Sequence, residues 1–165
     1  MSEHNVFPTE ELNQRLSNVR SQMVEANVDG VVITIPENIY YLTELDHWGF
    51  FACHLLVVPR EGAMILVCRA MERITIENQV KNARFFGHAD HEDPADYIVS
   101  ALSELGLLNS RIGMEKSSLF LTARLAESIQ AKTPKVEWHD TSNLVSALRM
   151  VKSPLEMEYV RKAAK

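Results

Sequence analysis

The densest group of side chains able to do chemistry is His88-Ala89-Asp90-His91-Glu92-Asp93, two imidazoles and three carboxylates within six residues. Imidazole nitrogen and carboxylate oxygen are both competent ligands for divalent metals. The same stretch lies where a helix should open, and acidic side chains favour helix N-termini through the dipole. It therefore also reads as a polar loop that needs no ligand. A second group is Asp46-His47-Trp48-Gly49-Phe50-Phe51. Its aromatic rings would supply area and orientation to the wall of a binding site, beside a possible general base. The same rings suit a core or a subunit interface. Cys53-His54 raises the question of a thiol nucleophile, but a cysteine beside a strand is usually a small apolar filler. If a strand starts there, His54 faces the other way. His139 reads as a polar residue at a strand end.

Several familiar constellations are missing from the sequence. There is no G-x-S-x-G elbow, no H-E-x-x-H and no C-x-x-C, and the glycines are scattered singly rather than gathered into a phosphate-binding loop. On its residues alone, the chain reads as a folded domain without a complete active site.

The elements that would position these groups follow from apolar spacing. Leu12, Leu16, Val19 and Met23 fall on one helical face. Val31 to Ile35 is a β-branched run stopped by Pro36, hence a buried strand. Pro36-Glu37-Asn38 reads as a turn, and Ile39 to Leu42 is apolar but too short to assign. Leu55 to Val58 and Ala63 to Val67 flank Pro59-Arg60-Glu61-Gly62 and predict a hairpin. A helix is predicted over Arg69 to Val80 and a short strand at Arg84 to Phe86. Asp93-Pro94 opens a helix with Asp as cap and Pro at the first helical position. Strands at Arg111 to Met114 and Val136 to His139 alternate with helices marked by Leu121, Leu125 and Ile129 and by Ser142 to Arg149. This alternation predicts an α/β fold with a mixed central sheet.

The chain has 165 residues, with 46% hydrophobic and 24% charged, the profile of one globular domain able to bury its own core. A net charge of −5 argues against nucleic-acid binding, which needs a basic face. Apolar runs are strand-sized, so no membrane span is predicted, and residues 1–9 lack the pattern of a secretory signal. Two isolated cysteines fit a reduced, cytoplasmic setting. Ser153-Pro154-Leu155-Glu156 is a capping box with Pro at the first helical position, and the helix it opens reaches Lys165 without a stop signal. The expectation is a domain over residues 1–151, then a linker and the start of another domain's first helix over residues 152–165.

Three segments together resemble the creatinase/aminopeptidase P/prolidase family of pita-bread metallohydrolases. The first is the opening helix and strand, followed by Asn38-Ile39-Tyr40-Tyr41-Leu42-Thr43, similar to that family's N-I-x-Y-L-T-G run. The second is the hairpin. The third is Arg149-Met150-Val151-Lys152-Ser153-Pro154-Leu155-Glu156, which looks like the R-x-x-K-S-P-x-E run that leads into the catalytic domain. One position departs: Glu44 stands where the family has a glycine able to take a left-handed turn.

The resemblance implies a non-catalytic N-terminal domain with a mixed sheet, helices on both faces and ribonuclease H-like topology. It implies that two divalent metals of the Mn or Co type sit in a C-terminal catalytic domain, so this chain alone would be inactive and hold no cofactor. The implied partners are that catalytic domain and a second copy in a homodimer, with no nucleic acid or membrane. The loop from Asp46 to Phe51 would reach the partner subunit's active site, with His47, Trp48 and Phe50 enclosing substrate. Cleavage of Xaa-Pro bonds is the leading activity. The aromatic run with Arg69-Ala70-Met71 also looks like the ectoine-hydrolase branch, and creatinase is disfavoured because no arginine lies between Phe50 and His54. A metal-free binding module or a free-standing interaction domain would be the non-enzymatic readings.

Overall fold

The computed structural model describes residues 6–46 and 52–165. Among them, six strands form one sheet: β1 (Gly30–Ile33), β2 (Leu55–Pro59), β3 (Met64–Arg69), β4 (Ala83–His88), β5 (Arg111–Met114) and β6 (Glu137–Asp140). Their order across the sheet is β4-β3-β2-β1-β5-β6. Strand β2 runs antiparallel to both β1 and β3, whereas β1–β5, β5–β6 and β3–β4 are parallel pairs. With β4 set aside, this is the ribonuclease H-like arrangement implied by the resemblance.

Strand alternation builds two cores. Val31 and Ile33 of β1, Leu56 and Val58 of β2, and Met64, Leu66 and Cys68 of β3 face one side. That side is covered by α1 (Thr9–Glu25), α2 (Pro36–Thr43), α3 (Arg73–Gln79) and α6 (Leu144–Met150). Val32, Leu55, Val57, Ile65, Val67, Ile112 and Met114 face the other side, beneath α4 (Pro94–Glu104) and α5 (Ala123–Lys132). Strands apolar on both faces are what a sheet sandwiched between helix layers requires. The β2–β3 turn places Gly62 at φ 89°, which a side chain would resist.

Local signals hold where they are self-contained. Asp93 caps α4, its side chain accepting from Ala95 N. Ser153 and Glu156 form the expected capping box of α7 (Pro154–Ala163). Two expectations need correction. Pro36-Glu37-Asn38 is the first turn of α2, not an independent turn, and β1 ends at Ile33. Pro fits both a turn and a helix start, and the acceptor that fixes the helix start comes from Glu115, far along the chain. The helix predicted over Arg69 to Val80 is a 3-10 turn (Ala70–Glu72) followed by α3.

At position 44, where the resemblance implies a glycine, the backbone is left-handed. Glu44 adopts φ 58°, ψ 17°, the left-handed conformation a glycine would take at the end of α2. Its carboxylate Oε1 accepts from the amides of Val6 and Phe7 at 2.8 and 2.7 Å, which ties down the N-terminal segment.

Candidate functional site

The most developed polar constellation joins α1, α2 and α7. Arg15 is almost wholly buried on α1 (3% exposed). Its guanidinium lies 4.0 Å from the Phe7 ring centroid and 4.6 Å from that of Tyr41. It donates to Tyr41 O (3.0 Å), Glu11 Oε1 (3.3 Å) and Glu156 Oε1 (3.0 Å). The other carboxylate oxygen of Glu156 accepts from Ser153 N at 2.8 Å, closing the capping box. Glu156, in the first turn of α7, is thus held by α1. Tyr159, one turn further on, donates to Val6 O (2.9 Å) and meets Phe7 edge-on.

A cleft of about 550 Å³ opens at this seam, walled among others by Arg15, Tyr40, Asp46, Phe120, Lys152 and Tyr159. Burial, reinforced by Glu44 and then Asp46, raises the Tyr40 phenol above the ordinary tyrosine range, so it stays a neutral hydrogen-bonding group. Burial, then Glu156, does the same to Tyr41. The described residues lining the cleft include no cysteine, serine, threonine or histidine. They offer apolar walls, phenols, carboxylates and cationic side chains. Asp46, whose backbone donates to Gln79 Oε1, lies at the cleft edge. His47, Trp48 and Phe50 lie outside the described residues.

A second network sits at the C-terminal ends of β1 and β5. Buried Glu115 accepts from Thr34 N (2.6 Å), Ile35 N (2.8 Å) and Asn38 Nδ2 (2.6 Å), and Asn38 Oδ1 accepts from Arg149 (2.8 Å). Desolvation raises the Glu115 carboxyl above the ordinary range, against these donors. The network fastens α2 and α6 to the sheet.

The structure absorbs the 88–93 cluster into ordinary contacts. Asp90 grips Arg69 through two 2.7 Å bonds. Glu92 accepts from Ala89 N (2.6 Å) and Tyr97 OH (2.7 Å). Asp93 caps α4 and accepts from Lys132. The three carboxyls are pulled below their usual range by these partners, led by Arg69, Tyr97 and Lys132 respectively. Cys53 donates to Phe120 O, and burial pushes its thiol up to about 12, the opposite of what a nucleophile needs. His139 lies 3.1 Å from Glu137 at the edge strand.

One group escaped sequence reasoning. His54 Nε2 lies 2.7 Å from Glu72 Oε2, and Cys68 joins them within 4.8 Å. Since Leu55 pairs with Val67, extending the register by one residue sets His54 opposite Cys68. The hairpin prediction carried that signal.

Residues 15–151 match the sequence pattern of the creatinase/prolidase N-terminal domain. The ectoine hydrolase of Halomonas elongata is 29% identical over 96% of this chain, which spans 42% of that enzyme. A dipeptidase from Pyrococcus horikoshii superposes with a TM-score of 0.72 at 26% identity, covering 87% of this chain and 38% of that one. The creatinase/prolidase N-terminal domain of an X-Pro dipeptidase from Streptococcus pyogenes, 19% identical, has the same fold: TM-score 0.69, with 82% and 98% covered. The chain therefore spans about two fifths of the full-length relatives it matches. Among the described residues, no helix is long and apolar enough to cross a membrane.

Proposed function

We propose, from the premise that this chain belongs to the creatinase/prolidase N-terminal domain family, that it is the non-catalytic N-terminal domain of a metal-dependent Xaa-Pro dipeptidase or aminopeptidase. Residues 152–165 would then lead into the first helix of the catalytic domain. The observation that supports this most is the grip of Arg15 on Glu156: the domain body holds the cap of α7 and so sets the direction in which the chain proceeds.

Two divalent metals of the Mn or Co type would be held by that next domain, where they would polarise the scissile carbonyl and activate water. The residues of this chain do other work. Arg15, Tyr41 and Tyr159 seat α7, and the cleft beside them receives the neighbouring domain. The segment opening at Asp46 reaches the active site of a partner subunit in a homodimer. There His47, Trp48 and Phe50 exclude water and select substrate shape.

A second reading is favoured by the ectoine hydrolase relative at 29% identity and by the aromatic segment 46–51: a small non-peptide substrate such as ectoine in place of a dipeptide. The protein extended to its natural stop codon separates the two when assayed with Mn²⁺ on an Xaa-Pro dipeptide and on ectoine. The dipeptidase reading expects turnover of the first and a raised KM in Trp48→Ala. Turnover of ectoine alone would establish the second reading. Turnover of neither, with downstream metal ligands missing, would point to a binding module.

A further inference from the structure

His54, Cys68 and Glu72 gather three different ligand types at the open end of the β2–β3 hairpin, their ligand atoms all within 4.8 Å of one another. They are separate from the seam cleft, and the proposed function gives them no role. His54 and Cys68 are buried (3% and 0% exposed), while the Glu72 side chain is about one fifth exposed and opens the group to solvent. The ring of His54 is flanked by acceptors on both sides: Nδ1 lies 3.1 Å from Ala52 O and Nε2 2.7 Å from the Glu72 carboxylate. With Nδ1–H donating to the carbonyl, the Nε2 lone pair faces the Glu72 carboxylate, where a bound cation would be shared by both groups. An Nδ1–H bonded to a backbone carbonyl is also the arrangement that orients a histidine for ligation through Nε2.

We propose that His54 Nε2, Cys68 Sγ and a Glu72 carboxylate oxygen form a binding site for one zinc-class divalent ion, with water as the fourth ligand. Nitrogen, sulfur and oxygen donors together suit a borderline-soft ion rather than magnesium or calcium. Tetrahedral bonds of about 2.0–2.3 Å set ligand-to-ligand edges of roughly 3.3–3.8 Å. The His54–Glu72 gap therefore has to open by about 0.6 Å, and Cys68 to close by at most about 1.5 Å. Binding displaces the thiol proton of Cys68. Burial and Glu72 hold that thiol above its ordinary range, so affinity rises with pH.

The 165-residue chain is the right material, because the catalytic metals proposed for the next domain cannot contribute. Metal-stripped protein would be titrated with Zn²⁺ by calorimetry and with Co²⁺ by absorption spectroscopy. The site predicts one equivalent of either ion and a thiolate-to-cobalt charge-transfer band. Cys68→Ser should abolish that band, and Glu72→Gln, a conservative change at a partly exposed position, should weaken binding at least about tenfold. Circular dichroism checks folding; if Cys68→Ser unfolds, the Glu72→Gln affinity decides. No stoichiometric binding by the wild type would overturn the site, as would binding whose affinity Glu72→Gln leaves unchanged.

Discussion

Arg15 Nη2 lies 3.0 Å from Glu156 Oε1, a contact that spans 141 residues and joins the first helix of the chain to the last. Neither partner faces open water: their side chains are 3% and 16% exposed. The guanidinium is also stacked between Phe7 and Tyr41, so its planar shape matters as well as its charge.

Arg15→Ala should therefore destabilise the domain by about 2–3 kcal/mol, since it leaves Glu156 and the Tyr41 carbonyl without their buried donor. Arg15→Lys should recover less than half of that loss, because an ammonium cannot stack or donate in a fork. Urea denaturation of Arg15→Ala, Glu156→Ala and the double variant should give a coupling of about 0.5–3 kcal/mol. Additive effects would mean that the contact does not fasten α7.

Glu44 combines a left-handed backbone with a carboxylate that holds the Val6 and Phe7 amides. Glu44→Ala keeps the strain and loses the bonds, whereas Glu44→Gly loses the bonds but relieves the strain. The expected order of thermal stability is wild type, then Gly, then Ala. The Gly–Ala gap should be about 1 kcal/mol. An Ala variant as stable as Gly would contradict the left-handed assignment.

The Glu115 carboxyl is shifted in the opposite direction to the surface carboxyls of Asp90, Glu92 and Asp93. Its folded-state pKa is raised by desolvation, so the folded state holds its proton to higher pH than the unfolded chain does. Its contribution is present in full below the ordinary glutamate range and is lost as pH rises through the raised value. Glu115→Gln should cost about 1–3 kcal/mol, because an amide turns a donor toward Asn38 Nδ2. The stability difference between wild type and Glu115→Gln should shrink as pH rises through that window. Asp90, Glu92 and Asp93 shift the other way, but they are common to both proteins and cancel. A difference that is flat with pH would show that Glu115 does not titrate there.

Legibility from sequence tracked the distance over which each determinant acts. The capping box at Ser153 and Glu156 and the Asp93 cap are local, with donor and acceptor a few residues apart, and both stand in the structure as read. The start of α2 was misread because its acceptor, Glu115, is about 80 residues away. Glu44 occupies a glycine conformation that no pattern of apolar residues reveals. Arg15 lies outside the apolar stripe of its helix, and its burial comes from packing against Phe7, Tyr41 and Glu156. His54 and Cys68 meet through strand register, which the hairpin lengths imply but do not display.

The 88–93 stretch should behave as a helix start and nothing more. Asp93→Ala should cost about 1 kcal/mol through loss of the α4 cap. His91→Ala should change stability by less than about 0.5 kcal/mol and leave Zn²⁺ affinity untouched. Weakened metal binding in His91→Ala would return the ligand role to this cluster.

The most direct test of the central claim compares the 165-residue chain with the same protein extended to its natural stop codon, assaying each for hydrolysis of an Xaa-Pro dipeptide in Mn²⁺. Activity in the extended protein alone is the predicted result, since the metal-bearing catalytic machinery is proposed to lie in the domain that residues 152–165 lead into. Turnover by the 165-residue chain would contradict the assignment of a non-catalytic domain.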